Sequence, residues 1–200
     1  MPRLGIFGGS FNPIHIAHLI VADRFVEQLA LEYCFFVPAA LPPLKPLPAQ
    51  ELAPAKHRRA MVELATAHHP LFRTDPCELE RGGISYTIDT IAYFRSQFPE
   101  AQFFLLIGAD QLLEFHLWHR WRELLQQVHL CIAPRPGVSG PELDQQLATL
   151  QADAIVLDMP LLAISSTEIR HRISQGLSVR YVVPEAVREY IHAHQLYAAA

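Results

Sequence analysis

Two histidines and a pair of glycines near the start of the chain are the first residues whose types and spacing could do chemistry. Gly8 and Gly9 follow a short apolar run, residues 4–7, and His15 and His18 come soon after them. Glycine lets a backbone approach a ligand closely, and the N-terminus of a helix presents free N–H groups to an anion. Imidazoles three residues apart share one helix face, where both can donate to phosphate oxygens. The pattern predicts a phosphate site; the alternative is a pair of surface histidines whose hydrogen bonds are already satisfied.

The glycines do not match two common phosphate-binding loops. A Walker A loop ends in Gly-Lys-Ser or Gly-Lys-Thr, and residues 8–18, GGSFNPIHIAH, contain no lysine. The dinucleotide-binding motif needs a third glycine at a fixed offset, which is also missing. The phosphates must therefore be held by another arrangement.

A second candidate anion site lies near residue 165. Ser165 and Glu168 have the spacing of a capping box, so the sequence predicts a helix that begins there with free N–H groups. Arg170 lies one turn further along. The segment follows an apolar run at residues 154–157, which could bring it next to the first site. The alternative is a capped structural helix with a solvated arginine.

The rest of the chain alternates between strand-like and helix-like segments. Apolar runs of strand length occur at residues 4–7, 33–37, 103–107, 128–133 and 154–157. Helical spacing predicts helices between them, at residues 16–29, 55–67, 86–98 and 141–150. This alternation predicts an α/β fold, with a parallel sheet and helices on both faces. Because the strand runs show little polar alternation, we expect both faces of each strand to be buried.

Two segments depart from the alternation. Residues 38–54 contain six prolines and are predicted to form an ordered or closing loop: Pro38, Pro42, Pro43, Pro46, Pro48 and Pro54. From residue 164 onward helical patterns follow one another, and the last covers residues 184–196. We therefore expect one domain over residues 1–200, with a core at 1–163 and a small C-terminal helical appendage at 164–200.

Composition excludes several classes of protein. Apolar residues make up 50% of the chain and charged residues 18%, which provides a core and excludes a disordered chain. Lys and Arg number 16 against 20 Asp and Glu, without like-charge blocks, so neither nucleic acid nor a membrane is an expected partner. Three scattered cysteines and no targeting segment indicate a cytoplasmic compartment. The short-spaced histidine pairs lack cysteine or carboxylate partners, so no protein-held metal is expected.

Several segments resemble a known family. Residues 8–18 and 164–170, ISSTEIR, resemble the two-part signature of the nucleotidyltransferase superfamily, (H/T)xGH with ISSTxxR. Further segments are similar, in order, to the bacterial nicotinate-nucleotide adenylyltransferases, and the resemblance covers nearly the whole chain. They are Lys45 in PPLK, SYTIDT at 85–90, IGADQ at 107–111 with Trp118, RPG at 135–137, VPE at 183–185, YI at 190–191 and LY at 196–197.

The resemblance implies a Rossmann-like, doubly wound fold and a specific reaction. The 5′-phosphate of nicotinate mononucleotide would attack the α-phosphorus of ATP, giving deamido-NAD and pyrophosphate. The nucleophile is already an anionic phosphate, so positioning and charge stabilisation would suffice. Mg²⁺ would arrive with ATP and not in a dedicated protein site. The expected partners are these two small molecules, and a homo-oligomer stays open.

The resemblance also implies roles for particular residues. The residues expected to be catalytic are His15, His18, Lys45 and Arg170. Those expected to bind ATP are Gly8, Gly9, Ser10, Phe11, His15, His18, Gly108, Asp110, Arg135, Ile164, Ser165, Ser166 and Arg170. Those expected to bind the mononucleotide are Lys45, Tyr86, Thr87, Trp118 and His119. Trp118 would stack on the pyridine ring, while Thr87 and His119 would offer backbone N–H groups to the nicotinate carboxylate.

Two residues depart from the family pattern. Ala17 stands where the signature has glycine, and its methyl group is expected to alter the affinity for ATP without abolishing it. Leu44 stands where a histidine usually precedes the basic residue, so one polar contact to the substrates is lost. Leu44 keeps open a preference for the amide, nicotinamide mononucleotide, or for both substrates. The two departures also leave open a nucleotide-binding regulator without catalysis, although the retained His15 and His18 argue against it.

Overall fold

Six parallel strands form one sheet in a computed structural model that describes residues 1–44 and 52–198. They are β1 (Arg3–Gly9), β2 (Tyr33–Pro38), β3 (Phe72–Thr74), β4 (Gln102–Gly108), β5 (His129–Ala133) and β6 (Ala154–Val156). Their order across the sheet is β3-β2-β1-β4-β5-β6, and every neighbouring pair is parallel. The chain forms β2 and then β3 on one side of β1. It then forms β4, β5 and β6, in that order, on the other side. The doubly wound α/β fold expected from the sequence is confirmed.

Helices connect the strands and continue after the last one. They are α1 (Ile16–Gln28), α2 (Ala55–Thr66), α3 (Cys77–Arg81), α4 (Thr87–Gln97), α5 (Ala109–Leu113), α6 (Trp121–Gln127), α7 (Gly140–Leu150), α8 (Ser166–Ser174) and α9 (Glu185–Ala193), with a 3₁₀ turn at Phe115–Leu117. The four helices expected between the strands are present, each within one residue of its expected bounds.

The sheet is covered by helices on both faces because its central strands present apolar side chains alternately to each side. On β4, Phe104 and Leu106 pack into a cluster with α1, α2, α8 and α9. Phe103, Leu105 and Ile107 pack into the opposite cluster, with α4, α5, α6 and α7. The two layers of helices therefore hold the central strands, and the residues at their ends, in fixed positions.

The last strand differs from this pattern. In β6, Ile155 and Val156 are 40% and 48% exposed. The expectation that both faces of every strand are buried is wrong here, because β6 lies at the edge of the sheet and fewer elements cover it.

The C-terminal helices are attached to the turn that follows β1. The Ser166 hydroxyl donates to the carbonyl oxygen of Pro13 (2.8 Å), and Arg170 Nη1 donates to that of Asn12 (3.1 Å). The Tyr197 hydroxyl donates to Oδ1 of Asn12 (2.9 Å). These bonds bring the two sequence segments with candidate anion sites into contact. In the part of the chain that the structure describes, no helix is long and apolar enough to span a membrane.

Candidate active site

The candidate site lies where the winding of the sheet changes direction. β1 and β4 are neighbours, yet the chain leaves them toward opposite sides of the sheet, which opens a crevice at their carboxyl ends. Two cavities open in this crevice and share a wall made of Gly8, Gly9, Ser10, Ile107 and Gln111. A Cβ atom built on Gly8 would meet nothing within 4 Å, so there is open space beside the backbone at this residue. A ligand can approach the main chain closely at that point.

The first cavity brings together most of the residues expected to bind ATP. Its lining includes Gly8, Gly9, Ser10, Phe11, His15, His18, Gly108, Asp110, Arg135, Ser165, Ser166 and Arg170. Ile164 is the exception, because it lines a neighbouring depression bounded by residues 178–182. Ala17, the departure from the family pattern, is buried and also lines the cavity.

The two signature histidines form a stacked pair at the start of α1. His15 is the N-cap residue, and its ring lies 3.7 Å from that of His18, centroid to centroid, with the planes 22° apart. The backbone N–H of His15 donates to Nδ1 of His18 (3.2 Å), so the neutral His18 ring carries its proton on Nε2. His15 is only 1% exposed, and its buried Nδ1 has no hydrogen-bond partner among the described residues. The alternative of satisfied surface histidines is therefore wrong.

Both rings are neutral near pH 7. Burial lowers the pKa of His15 to about 3, and the positive charge of Arg135 adds to this effect. Burial also holds the pKa of His18 well below its usual value. His15 and Arg135 lower this pKa further, by smaller amounts. The pair can thus donate hydrogen bonds to an anion without itself being charged.

Two arginines, which come from different elements, supply positive charge to the first cavity. Arg135, which follows β5, lies 3.7 Å from the Asp110 carboxylate at the start of α5. Arg170 reaches the cavity from α8, whose N-cap, Ser165, accepts a hydrogen bond from the Glu168 backbone N–H (3.2 Å). Two guanidinium groups beside free helical N–H groups suit a polyphosphate. Among the described residues, no three His, Cys, Asp or Glu side chains are grouped as a metal ion would need.

The second cavity is more apolar and contains four of the five residues expected to bind the mononucleotide. Tyr86 and Thr87 lie at the start of α4, and Trp118 and His119 lie between the 3₁₀ turn and α6. The Trp118 ring is 4.9 Å from that of Phe115, and the His119 ring is 4.3 Å from that of Tyr86. Trp118 has an extended backbone, so it does not share a helix face with Trp121.

The segment after β2 contributes the remaining wall of the second cavity. Pro42, Pro43 and Leu44 line it, and Leu44 is 38% exposed. The leucine therefore presents an apolar surface where the family usually has a polar ring. Lys45, expected to be catalytic and to bind the mononucleotide, lies outside the described residues.

One buried carboxyl group in the second cavity was missed by the sequence analysis. Glu78 of α3 accepts a hydrogen bond from the Thr90 hydroxyl (2.5 Å). Burial raises its pKa, while hydrogen bonds from Thr90 and Ser85 and the charge of Arg81 oppose the rise. Because α3 has only five residues, no periodic signal in the sequence could reveal it.

The fold and the two-cavity site define a nucleotidyltransferase, and residues 6–172 match the model of the cytidylyltransferase-like family. The probable nicotinate-nucleotide adenylyltransferase of Salinibacter ruber is 42% identical over 97% of this chain and 97% of its own length. That of Herpetosiphon aurantiacus is 41% identical over the full length of both chains. This chain belongs to the nicotinate-nucleotide adenylyltransferase family.

A solved structure extends the likeness to the fold. The Plasmodium falciparum nicotinic acid mononucleotide adenylyltransferase complexed with NaAD has a TM-score of 0.80 at 19% identity, and the match covers 98% of each chain. The arrangement of strands and helices described above is therefore shared with an enzyme of distant sequence.

Proposed function

We propose that this protein transfers the adenylyl group of ATP to nicotinate mononucleotide, producing deamido-NAD and pyrophosphate as a step of NAD biosynthesis. The observation that carries the proposal is the shared wall at residues 8–10, which adjoins a cationic cavity on one side and an aromatic cavity on the other. Two substrates bound on either side of this wall would meet at the stacked histidines. Membership of the family supports the choice of substrates.

ATP would bind in the first cavity together with its Mg²⁺ ion, which is part of the substrate. Arg135 and Arg170 would hold the outer phosphates, with Ser165 and Ser166 at the start of α8. The Nε2–H of His18 would donate to the α-phosphate, where charge accumulates in the transition state. Gly108 and Asp110 would line the sugar and base of the nucleotide.

The chemistry needs positioning more than acid–base catalysis. An oxygen of the mononucleotide 5′-phosphate forms a bond to the α-phosphorus, and the bond from that phosphorus to the bridging oxygen of the β-phosphate breaks. Pyrophosphate leaves with its electron pair and its Mg²⁺. No proton must be removed from the nucleophile, which agrees with two histidines that are neutral and partly or fully buried.

Nicotinate mononucleotide would bind in the second cavity. Trp118 would stack on the pyridine ring, and the backbone N–H groups of Thr87 and His119 would bind the nicotinate carboxylate. Lys45 would contribute a positive charge to the phosphates. Because Leu44 offers no hydrogen bond, these contacts must recognise the acid without a polar side chain at that position.

We also propose that the enzyme acts in the cytoplasm and that residues 1–200 function as one domain. The cytoplasmic assignment rests on Cys34, Cys77 and Cys131, which are free and buried, as suits a reducing compartment. The single-domain assignment rests on the bonds between α8 and the turn after β1.

The proposal is tested by identifying the products. Purified protein is incubated with Mg²⁺ and ATP, and with nicotinate mononucleotide, nicotinamide mononucleotide or neither, and both products are quantified. We expect deamido-NAD and pyrophosphate in equal amounts with the acid, and no pyrophosphate with ATP alone. If neither mononucleotide gives any product, the proposal is overturned and a non-catalytic nucleotide-binding protein is favoured.

A further inference from the structure

The guanidinium group of Arg58, in the first turn of α2, is buried beneath the candidate active site. The residue is 1% exposed, and its donors are directed at backbone carbonyl oxygens. Nε donates to Ala53 (2.9 Å), and Nη1 donates to Ser10 (2.9 Å) and Ala39 (2.6 Å). Nη2 lies 3.4 Å from the carbonyl oxygen of Ala40. One side chain therefore joins three separate segments of the chain.

Those three segments form or adjoin the walls of both cavities. Ser10 belongs to the shared wall, and Ala39 lines the second cavity. Ala40 leads directly to the proline-rich wall of that cavity. Ala53 lies just before α2, and its backbone N–H donates to Oδ1 of Asn12 (3.0 Å), in the turn after β1. The bonds of Arg58 thus tie residues 39–40 and Ala53 to Ser10, in the turn after β1.

The chemistry of the side chain suits positioning better than stabilisation by charge. Within residues 1–44 and 52–198, no carboxylate forms an ion pair with Arg58, and burial lowers its pKa. A buried cation without an ionic partner is a poor source of stability. A planar guanidinium with five N–H donors can, however, hold several carbonyl groups in one rigid arrangement, which a lysine cannot do.

We propose that Arg58 is a positioning residue for adenylyl transfer, because it sets the shared wall, and thereby the alignment of the two substrates. The inference rests on the proposed function. A small displacement of aligned reactants lowers the rate steeply, while each substrate retains most of its own binding contacts. Loss of Arg58 should therefore lower kcat much more than it raises either KM.

Arg59 provides a matched control on the same helix turn. Its side chain is 45% exposed and forms an ion pair with Glu63 (2.7 Å) on the surface. The experiment compares Arg58→Lys and Arg58→Met with Arg59→Lys and Arg59→Met. For each full-length variant, kcat and both KM values are measured, and circular dichroism gives the folded fraction at the assay temperature.

We expect kcat per folded molecule to fall about 10- to 100-fold in Arg58→Met, with a smaller fall in Arg58→Lys. Both KM values should stay within about threefold of the wild type, and both Arg59 variants should match the wild type. The proposal would be overturned if both Arg58 variants had the wild-type kcat per folded molecule. In that case any loss of total activity would be explained by a smaller folded fraction. Failure of both variants to fold would make Arg58 a residue of stability alone and would also overturn it. An inactive wild type would instead refute the proposed function.

Discussion

At the scale of single residues, the stacked imidazoles of His15 and His18 show how a site can suit an anion without carrying charge itself. Burial and the nearby Arg135 disfavour protonation of both rings, and at His18 the neighbouring His15 adds to this effect. The positive charge stays on arginines that approach from other elements. Neutral donors next to the reacting phosphate and cations further out would stabilise the transition state without binding the ground state too tightly.

Replacing His18 with alanine should abolish most turnover and leave the fold intact. Removing one hydrogen-bond donor to the transition state typically costs about 100- to 1,000-fold in kcat. The measurement is kcat for pyrophosphate release, with circular dichroism as the test of folding and His116→Ala, an exposed histidine, as the control. Near-normal turnover in the folded His18 variant would refute its role.

The same histidines should make the protein less stable in mild acid. The folded-state pKa of His15, about 3, lies below its unfolded value of 6.5, so between these values the unfolded chain binds more protons. Stability from this residue is complete above pH 6.5 and is lost as the pH falls. At pH 5 the loss is roughly 2 kcal/mol at about 1.4 kcal/mol per pH unit.

Urea unfolding at pH 7 and pH 5 measures that loss. We expect the pH-dependent loss to be smaller in His15→Gln than in the wild type and unchanged in His116→Gln. Equal losses in the wild type and in the His15 variant would show that His15 is not buried in its neutral form.

At the scale of elements, the start of α4 depends on a network beneath it. The Glu78 carboxylate binds the hydroxyls of Thr90 and Ser85, and Ser85 Oγ accepts from the backbone N–H of Ala40 (2.8 Å). This network fixes the first turn of α4, where Thr87 is proposed to bind the nicotinate carboxylate.

Replacing Glu78 with glutamine should therefore affect the mononucleotide selectively. Its amide nitrogen cannot accept a hydrogen bond, so one hydroxyl loses its partner and the first turn of α4 shifts. We expect the KM for nicotinate mononucleotide to rise about tenfold, equivalent to about 1.4 kcal/mol, with the KM for ATP unchanged. Steady-state kinetics checks this, with the exposed Glu80→Gln as the control. An equal rise in both KM values would contradict the account.

The sequence predicted the longer elements and the short strand β6 but missed other short elements. Apolar periodicity identified α1, α2, α4 and α7 because each spans at least three turns. The three-residue β3 and five-residue α3 are too short to carry a period, so Glu78 was missed with them. The contacts of Arg58 could not be predicted from the sequence either. They are made with backbone carbonyl groups, which every residue type possesses, so no residue type marks the partners.

At the scale of the whole molecule, the C-terminal helices complete both the core and the site. Ile169 of α8 and Val187 of α9 pack in the same cluster as Phe7 and Phe36 of the first two strands. The motifs predicted which residues would meet at the site, and the first cavity contains all of the expected ATP residues except Ile164. The distances between them depend on this packing, so motifs alone could not supply them.

Thermal unfolding of the full chain should show one cooperative transition, with the same midpoint by near-UV and far-UV circular dichroism. A chain truncated after residue 163 should lose that transition, because the apolar side chains that pack against α8 and α9 would be exposed to water. Two separate transitions in the full chain, or a cooperative transition in the truncated one, would contradict the single-domain account.

The most direct test of the central claim compares kcat/KM for nicotinate mononucleotide and nicotinamide mononucleotide with saturating ATP and Mg²⁺. The two substrates differ only in the carboxylate that Thr87 and His119 are proposed to bind. We predict a large preference for the acid, about 100-fold or more, since a site built to bind a polar group rejects an analogue that cannot pair with it. Equal use of the amide, or a preference for it, would contradict the account.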